Sequence, residues 1–276
     1  MSLVLVTGAA GRIGTWLRGG LPERGWAVRG LDVVPVAGTR PGEEHLVADA
    51  ADPDAVAAAV AGCDAVVHLA GHVGEASWEV IRRTQIDTTQ AVLECARRAG
   101  VPRVVLASSN HGSGFTPRPA AGTLLRETDA PPRPDTFYGV AKVTMEALGS
   151  LYSDRYGMDV VCLRIGSAFP EPTTTRQLST WLSPDDTVAL VQAALTAPSP
   201  GFAVVWGVSA NTRNWWDLSA ARALGFAPQD DAEVYAGALV EVHGEPDPTD
   251  PVHARVGGEY TTAEFDVDAV AGRDEP

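Results

Sequence analysis

Two side chains near the middle of the sequence, Tyr138 and Lys142, are spaced so that they could carry out proton transfer together. Residues four apart lie on the same face of a helix, so the Lys142 ammonium can lie close to the Tyr138 phenol. A free phenol has a pKa of about 10, which makes it a poor base at neutral pH. Because a neighbouring cation favours the phenolate, the pair predicts a tyrosine whose lowered pKa lets it accept a proton.

A tyrosine and a lysine at this spacing also occur in many ordinary helices, and the pair gains meaning from a glycine-rich turn near the N-terminus. Gly8, Gly11 and Gly14 follow the apolar run Leu3–Thr7 and open a helical pattern over Arg12–Arg24. Glycine allows a tight turn and a close approach of the backbone, and a helix N-terminus offers free N–H groups to a pyrophosphate. The turn and the pair together indicate a nicotinamide-dependent oxidoreductase.

The acid that follows the second predicted strand indicates which nicotinamide cofactor is used. Asp32 comes directly after the apolar run Ala27–Leu31, where a carboxylate can bind both hydroxyls of the adenosine ribose. The same charge would repel a 2′-phosphate, so NAD is favoured over NADP. Asp49 and Ala50 would suit the adenine edge, although Asp49 could instead cap a helix. Further predicted contacts to the cofactor are Arg12, Ile13, Leu69, Ala70, Gly71 and Ile165.

Unbroken apolar runs that alternate with helical patterns predict an α/β fold built on a parallel sheet with helices on both faces. The predicted strands are Leu3–Thr7, Ala27–Leu31, His45–Ala48, Ala65–Leu69, Arg103–Ala107, Val160–Leu163 and Ala203–Trp206. The predicted helices are Arg12–Arg24, Ser77–Ala99, one that carries Tyr138 and ends near Tyr156, and Pro184–Thr196. We expect a cofactor-binding domain over residues 1–168, a small cap with segments that rejoin the sheet over 169–268, and a frayed tail over 269–276.

The composition argues against several classes of partner. The formal charge of −14 and a pI near 4.8 disfavour nucleic acid and anionic membranes, and an anionic substrate would need a local cluster of cations. Cys63, Cys95 and Cys162 lack metal-ligand spacing and are expected to be reduced thiols of a cytoplasmic protein, with no metal site. No apolar run is long enough for a membrane span, and the N-terminus looks like a strand rather than a signal peptide.

With these motifs assembled, the sequence resembles the extended short-chain dehydrogenase/reductase family. The T-G-x-x-G-x-x-G turn, Asp32, the His-Leu-Ala turn at His68–Ala70 and the Tyr138/Lys142 pair all match. Four longer stretches are similar to the uronate dehydrogenases of that family. They are Ala107–His111; Arg164–Ser167; Pro170–Pro172 with Arg176–Trp181; and Val205–Asn211 with Trp215–Asp217. The resemblance implies a Rossmann-type, doubly wound parallel sheet with a small C-terminal substrate-binding cap.

The resemblance also implies an activity, the NAD-dependent oxidation of the C1 hydroxyl of a cyclic hexuronic acid, such as galacturonate or glucuronate, to an aldarolactone. Tyr138 would be the base, and Lys142 would bind the nicotinamide ribose while lowering the phenol's pKa. Ser109 and Asn110 would share the hydrogen bond to the reacting oxygen, and Arg176 would bind the C6 carboxylate. The implied substrate contacts are Ser109, Asn110, His111, Tyr138, Ser167 and Arg176, with Tyr260 closing over the site. We expect a homo-oligomer.

Some positions depart from the family pattern or leave alternatives open. Val73 stands where relatives carry a serine that contacts the sugar, and Gln85 stands where a helix asparagine is usual. His68 is expected to be a hydrogen-bonded core residue, and Arg176 could form a surface salt bridge with Glu171 or Asp185 instead of binding substrate. Two other functions remain open: a sugar-nucleotide epimerase or dehydratase of the same superfamily, and a non-catalytic NAD-sensing regulator.

Overall fold

A seven-stranded parallel sheet forms the centre of the computed structural model, which describes residues 1–40 and 42–265. The strands are β1 (Ser2–Thr7), β2 (Trp26–Asp32), β3 (Glu44–Val47), β4 (Ala65–His68), β5 (Arg103–Ser109), β6 (Asp159–Ile165), β7 (Ser167–Ala168), β8 (Trp181–Leu182) and β9 (Phe202–Gly207). The sheet has the order β3-β2-β1-β4-β5-β6-β9, and β7 pairs separately with β8. The order reverses between β1 and β4, which is where doubly wound sheets bind their ligands.

Helices cover both faces of this sheet. They are α1 (Arg12–Gly20), α2 (Pro53–Val60), α3 (Trp78–Ile81), α4 (Thr88–Arg98), α5 (Phe137–Tyr156), α6 (Gln177–Thr180), α7 (Pro184–Thr196), α8 (Ser219–Ala223), α9 (Ala236–His243) and α10 (Pro251–Ala254). A π-helical segment, Arg82–Asp87, joins α3 to α4. Short 3₁₀ turns occupy Pro22–Arg24, Asn110–Ser113, Glu127–Asp129, Ala232–Tyr235 and Gly258–Thr261. The predicted Rossmann-type parallel sheet is confirmed.

The unbroken apolar character of the strands is explained by burial on both faces. Along β1, Val4 and Val6 belong to the core that lies under α1 and α7, whereas Leu5 between them belongs to the core under α2 and α4. All three side chains are fully buried, and each contributes about 1.5–3 kcal/mol through removal from water. A strand that alternated apolar and polar residues could not fill both cores.

Two predicted helices differ from the observed ones. Helix α1 ends at Gly20 rather than continuing to Arg24, because Pro22 has no N–H to donate and its ring obstructs the helix; residues Pro22–Arg24 form a 3₁₀ turn instead. The predicted helix Ser77–Ala99 is present, but its middle is the π-helical segment Arg82–Asp87. Such wide turns occur frequently at functional sites.

The chain after β6 contributes both to the sheet and to the region beside its carboxyl edge. Strand β9 extends the sheet next to β6, and α7 packs against α1. Trp206 of β9 stacks on Trp216 at a ring-centroid distance of 4.7 Å, in a small separate core. The domain division at residue 168 stays a prediction, and the expected frayed tail over 269–276 lies outside the described residues. No helix in the described part of the chain is long and apolar enough to cross a membrane.

His68 lies in the core, as the sequence predicts. Its Nδ1 is 2.8 Å from the Thr7 hydroxyl and its Nε2 is 3.4 Å from the Thr89 hydroxyl. Complete burial lowers the His68 pKa to about 3, with a smaller contribution from the charge of Lys142. The imidazole is therefore neutral in the folded protein between pH 5 and pH 7.

The unfolded chain binds a proton at this histidine below about pH 6.5, whereas the folded chain does not, so stability falls as the pH falls. We expect the wild type to lose about 2 kcal/mol more than His68→Asn between pH 7 and pH 5, because each pH unit below 6.5 corresponds to about 1.4 kcal/mol. Urea unfolding at both pH values measures the difference. An equal pH dependence in the two proteins would contradict the neutral assignment of His68.

Candidate active site

The glycine turn after β1 has the geometry of a phosphate cradle. Gly8 has φ +70°, and a Cβ there would approach the Ala70 backbone nitrogen to 2.9 Å. A Cβ on Gly14 would approach the Gly8 carbonyl oxygen to 2.3 Å. Gly11 precedes α1 and provides no side-chain cap, so the first N–H groups of the helix stay available to an anion. These residues fit the pyrophosphate of a dinucleotide.

Asp32, at the end of β2, lies directly beside this turn. Its Oδ2 accepts a hydrogen bond of 2.8 Å from the Ala10 backbone N–H, and its Oδ1 accepts one of 3.2 Å from Val34. Each carboxylate oxygen retains a further lone pair for a ribose hydroxyl. The negative charge at this position supports NAD rather than NADP.

Asp49 does not cap a helix, so that alternative is wrong. Its Oδ1 accepts from the Ala51 backbone N–H at 2.8 Å, and its Oδ2 lies 2.7 Å from Arg83. The cap of α2 is Asp52, whose side chain accepts from the Asp54 backbone N–H. Asp49 therefore shapes the turn after β3, next to the buried Ala50.

The other predicted cofactor residues line the carboxyl ends of β4 and β6 or the start of α1. The backbone N–H groups of Leu69 and Ala70 both donate to the Thr7 hydroxyl at 3.2 Å, which holds the β4 turn against the glycine turn. Arg12 donates to the Ala168 carbonyl oxygen at 3.0 Å and lies 4.3 Å from the ring of Phe169. Ile13 is half-buried at the start of α1, Gly71 has φ +153°, and Ile165 ends β6.

Tyr138 and Lys142 occupy the first turns of α5, and two side chains fix where this helix begins. Thr136 accepts a hydrogen bond from the Gly139 backbone N–H as the N-cap. The buried carboxylate of Glu75 accepts from the backbone N–H groups of Phe137 at 3.2 Å and Tyr138 at 2.8 Å. A carboxylate is favoured at this end of a helix because the free N–H groups carry partial positive charge.

The Lys142 ammonium is held inside the protein. Its Nζ donates to Gln85 Oε1 at 2.9 Å and to the Ala107 carbonyl oxygen at 2.8 Å, and it lies 5.1 Å from the centre of the Tyr138 ring. The side chain is only 5% exposed. Burial lowers the Lys142 pKa to about 7, while the charge of Glu146 opposes this change. The helical spacing thus brings the predicted pair together.

The direction of the Tyr138 pKa differs from the sequence prediction. Burial raises it to about 12, and hydrogen bonding to Ser109 only partly opposes the rise. The prediction that Lys142 lowers this pKa is therefore wrong for the chain by itself. The reason is that Tyr138 is itself removed from water, which disfavours the phenolate, whereas the spacing indicated only that a cation lies nearby.

Ser109 and Asn110 do not have equivalent positions. Ser109 contacts Tyr138, whereas Asn110 is turned toward the C-terminal segment, where its Nδ2 donates to the Val256 carbonyl oxygen at 2.8 Å. Asn110 Oδ1 accepts from the Ser109 hydroxyl at 3.3 Å. Both amide atoms of Asn110 are thereby engaged, and its Oδ1 orients the Ser109 hydroxyl.

His111 and Tyr260 form an aromatic wall beside Tyr138. The rings of His111 and Tyr260 stack at 4.3 Å, and the edge of His111 meets Tyr138 at 5.8 Å. His111 Nδ1 is 2.7 Å from Asp135 Oδ2, a contact that leaves Nε2 for another partner. The Tyr260 hydroxyl lies at Gly74, where an added Cβ would approach it to 2.9 Å. That Tyr260 closes over a bound substrate stays a prediction.

Arg176 is tied to the C-terminal segment through its terminal nitrogens. Nη1 donates to the carbonyl oxygens of Val252 at 2.5 Å and Arg255 at 3.1 Å, and Nη2 donates to Val256 at 2.5 Å. Burial lowers the Arg176 pKa to about 10, which still leaves a cation at neutral pH. Within residues 1–40 and 42–265 it forms no salt bridge with Glu171 or Asp185. Ser167 lies on β7, where its hydroxyl is 2.9 Å from that of Thr180.

Three residues that the sequence did not single out for the site complete it: Gln85, Glu75 and Asp135. Gln85 was noted only as a departure from the family pattern, although its amide contacts Lys142 directly. Asp135 has a weak sequence signal, since it precedes Tyr138 by three residues, and its partner His111 is distant in the chain. No cluster of three or more metal-ligating side chains occurs in the described part of the chain.

The sequence of this chain is similar to those of known NAD-dependent enzymes. Residues 4–184 match the NAD dependent epimerase/dehydratase family. The uronate dehydrogenase of Agrobacterium fabrum is 42% identical over 94% of this chain and 97% of its own length. That of Pseudomonas putida is 40% identical over 94% and 96%. An NAD-dependent glucose-6-phosphate dehydrogenase of Haloferax volcanii is 36% identical over 83% and 94%.

Solved structures give the same result. The crystal structure of uronate dehydrogenase from Agrobacterium tumefaciens has a TM-score of 0.87 and 42% identity, covering 95% of this chain and 97% of that one. A tyrosine-to-alanine variant of that enzyme, complexed with NAD, matches with the same values.

A substitution at Gly114 tests the tight packing around the His111–Asp135 pair. Gly114 has an ordinary φ of −54°, but a Cβ there would approach Asp135 Oδ2 to 2.0 Å. We expect Gly114→Ala to lower the free energy of unfolding by about 1–3 kcal/mol, the usual cost of overpacking. Gly237→Ala is the matched control, because nothing lies within 4 Å of its Cβ in α9 and alanine is favoured in a helix. Thermal unfolding compares them; equal midpoints would contradict the packing.

Proposed function

We propose that this chain, which belongs to the NAD dependent epimerase/dehydratase family, oxidises the C1 hydroxyl of a cyclic hexuronic acid such as galacturonate or glucuronate to an aldarolactone while NAD is reduced. The observation that carries the proposal is the position of Tyr138, Lys142 and Ser109 at the carboxyl end of β5, on the edge of the sheet where such folds bind dinucleotides. Sequence identity of 40–42% to uronate dehydrogenases over nearly the whole chain supports the same activity.

The chemistry removes a hydride from C1 and a proton from its hydroxyl, which leaves a lactone carbonyl. Bound NAD⁺ supplies the hydride acceptor. Tyr138 takes the hydroxyl proton as general base, and Ser109 holds the reacting oxygen in line with the phenol. Because Asn110 holds Ser109, it acts on this step through Ser109.

Lys142 stabilises the phenolate form of Tyr138. Separately, the two buried side chains are driven toward their neutral forms, with a Tyr138 pKa of about 12 and a Lys142 pKa of about 7. A phenolate and an ammonium that form close together in a site of low dielectric stabilise each other strongly. Lys142 has a third N–H left after its bonds to Gln85 and Ala107, and that hydrogen suits the nicotinamide ribose.

The substrate side of the site suits an acidic sugar. Arg176 is a half-buried cation in a protein of net charge −14, and within the described residues its Nε–H and one Nη2–H remain after its bonds to the C-terminal segment. A guanidinium with two donors left can bind a carboxylate in a bidentate pair. His111, Ser167 and Tyr260 would contact the ring. Val73, which is 90% exposed, gives no hydrogen bond where a serine could.

The two alternative functions are less well supported. A non-catalytic NAD sensor would not need the intact Tyr138/Lys142 pair. Sugar-nucleotide enzymes are more distant, since a dTDP-glucose 4,6-dehydratase of Streptomyces niveus is 33% identical over only 58% of this chain.

The three buried free cysteines are compatible with a protein that functions in the cytoplasm. The homo-oligomer expected from the sequence stays a prediction.

Replacing the general base tests the mechanism. Tyr138→Phe keeps the ring and its packing but removes the proton acceptor, so turnover should fall by about 10²-fold or more while NAD binding is unchanged. NADH formation from galacturonate, glucuronate, UDP-glucose and neutral hexoses is followed by absorbance, and NAD binding by calorimetry. We expect full activity with the two uronates and only trace activity with neutral hexoses such as galactose. Near-normal turnover in Tyr138→Phe would contradict its role as base.

Replacing the substrate cation tests the binding of the carboxylate. Arg176→Lys keeps the positive charge but cannot form a bidentate pair, so kcat/KM for galacturonate should fall by about 10- to 100-fold, as expected for loss of a charge-assisted hydrogen bond. The trace activity on galactose, which lacks the carboxylate, is the internal control because it reports any general damage to the C-terminal segment. If both substrates lose activity equally, Arg176 supports the fold and another group binds the acid.

A further inference from the structure

Gln85 connects the catalytic lysine to the loop at the mouth of the site. Its Oε1 accepts the hydrogen bond of 2.9 Å from Lys142 Nζ, and its Nε2 donates to the His72 carbonyl oxygen at 2.6 Å. The side chain is only 2% exposed, so both of its polar atoms are satisfied inside the protein. A buried amide with both ends engaged is fixed in position and orientation.

The backbone around Gln85 is arranged to admit this longer side chain. Gln85 lies within the π-helical segment Arg82–Asp87, in which the helix widens by one residue per turn. Opposite it, Gly71 has φ +153°, and a Cβ there would approach Gln85 Nε2 to 2.6 Å. An asparagine, one methylene shorter, could not reach both Lys142 and His72 from the same backbone position.

The loop of residues 71–75 is attached to both members of the catalytic pair. Near its start, the His72 carbonyl is bonded to Gln85 and thereby linked to Lys142. At its end, the Glu75 carboxylate accepts the backbone N–H of Tyr138. Displacement of the loop would therefore move the ammonium relative to the phenol.

We propose that Gln85 is a positioning residue, whose amide oxygen keeps the Lys142 ammonium charged and fixed beside Tyr138 while its amide nitrogen ties that group to loop 71–75. The effect of Gln85 on turnover depends on the hexuronate oxidation proposed above. The other titratable groups that face Lys142 are Glu146 and Tyr138 on the same helix, Cys162 on β6 and the neutral His68 on β4. Gln85 is a neutral side chain that accepts a hydrogen bond from the ammonium directly, as does the Ala107 backbone carbonyl.

The sequence offers an unusually direct measurement, because Lys142 is the one lysine among its 276 residues and all other basic side chains of the Lys/Arg class are arginines. Protein grown with lysine labelled with ¹⁵N at Nζ gives a single side-chain resonance, whose pH titration reports the Lys142 pKa in the full chain. Gln85→Met removes the acceptor at similar volume. Gln85→Glu keeps the shape and adds a negative charge, and it keeps the assignment testable if Gln85→Met does not fold.

The control is Thr88→Val, a buried change three residues further along the same helix. The Thr88 hydroxyl donates to the Thr84 carbonyl oxygen at 2.7 Å and, at 3.3 Å, to the backbone carbonyl oxygen of Gln85, but it contacts neither the Gln85 amide group nor Lys142. It should leave the lysine titration and turnover unchanged, even if it lowers the unfolding temperature.

We expect the Lys142 pKa to fall by about one pH unit in Gln85→Met and to rise by at least about one in Gln85→Glu. In Gln85→Met, turnover of the hexuronate should fall about tenfold, with the acid limb of its pH profile moved to higher pH because the phenolate loses support. An unchanged titration in both Gln85 variants, or an equal change in Thr88→Val, would overturn the proposal. If the wild type oxidises no hexuronate, the proposed function fails while the titration still decides the role of Gln85.

Discussion

The removal of Tyr138 and Lys142 from water is the physical constraint on which the site depends. Burial alone moves both groups toward neutrality, because it raises the pKa of the phenol and lowers that of the amine. A phenolate therefore forms only where the protein supplies compensating contacts at fixed distances. Three elements supply them: β5 provides Ser109 and the Ala107 carbonyl, the π-helical segment provides Gln85, and α5 carries the pair itself.

A buried ion pair extends this arrangement behind the lysine. Glu146, one turn after Lys142 on α5, accepts hydrogen bonds from Arg164 at 2.8 and 2.9 Å and from the Ser108 hydroxyl at 2.6 Å. Removing one partner of such a pair typically costs 3–5 kcal/mol, about as much as a large core truncation. Glu146 also raises the Lys142 pKa, so β5, β6 and α5 are joined by the same charges that keep the ammonium available.

The parts of the structure that follow from local pattern could be predicted from the sequence. Apolar runs such as Leu3–Thr7 located the strands, and the spacing of the glycines and of Tyr138 and Lys142 located the cofactor turn and the catalytic pair. The contacts that set the chemistry could not be predicted, because they join segments far apart in the chain. Gln85 and Lys142 are 57 residues apart, and Arg176 bonds carbonyls 76 to 80 residues away. The direction of the Tyr138 pKa was missed for a related reason: spacing gives proximity but not the depth of burial.

Transfer of a deuterium label tests the central claim most directly. Galacturonate carrying deuterium at C1 is incubated with the wild-type protein and NAD, and the reduced cofactor is isolated and examined by mass spectrometry and NMR. If the C1 hydroxyl is oxidised by hydride removal, each NADH formed should carry one deuterium at nicotinamide C4, and the sugar product should be the deuterium-free lactone. NADH without deuterium, or a sugar that keeps its label at C1, would contradict the account.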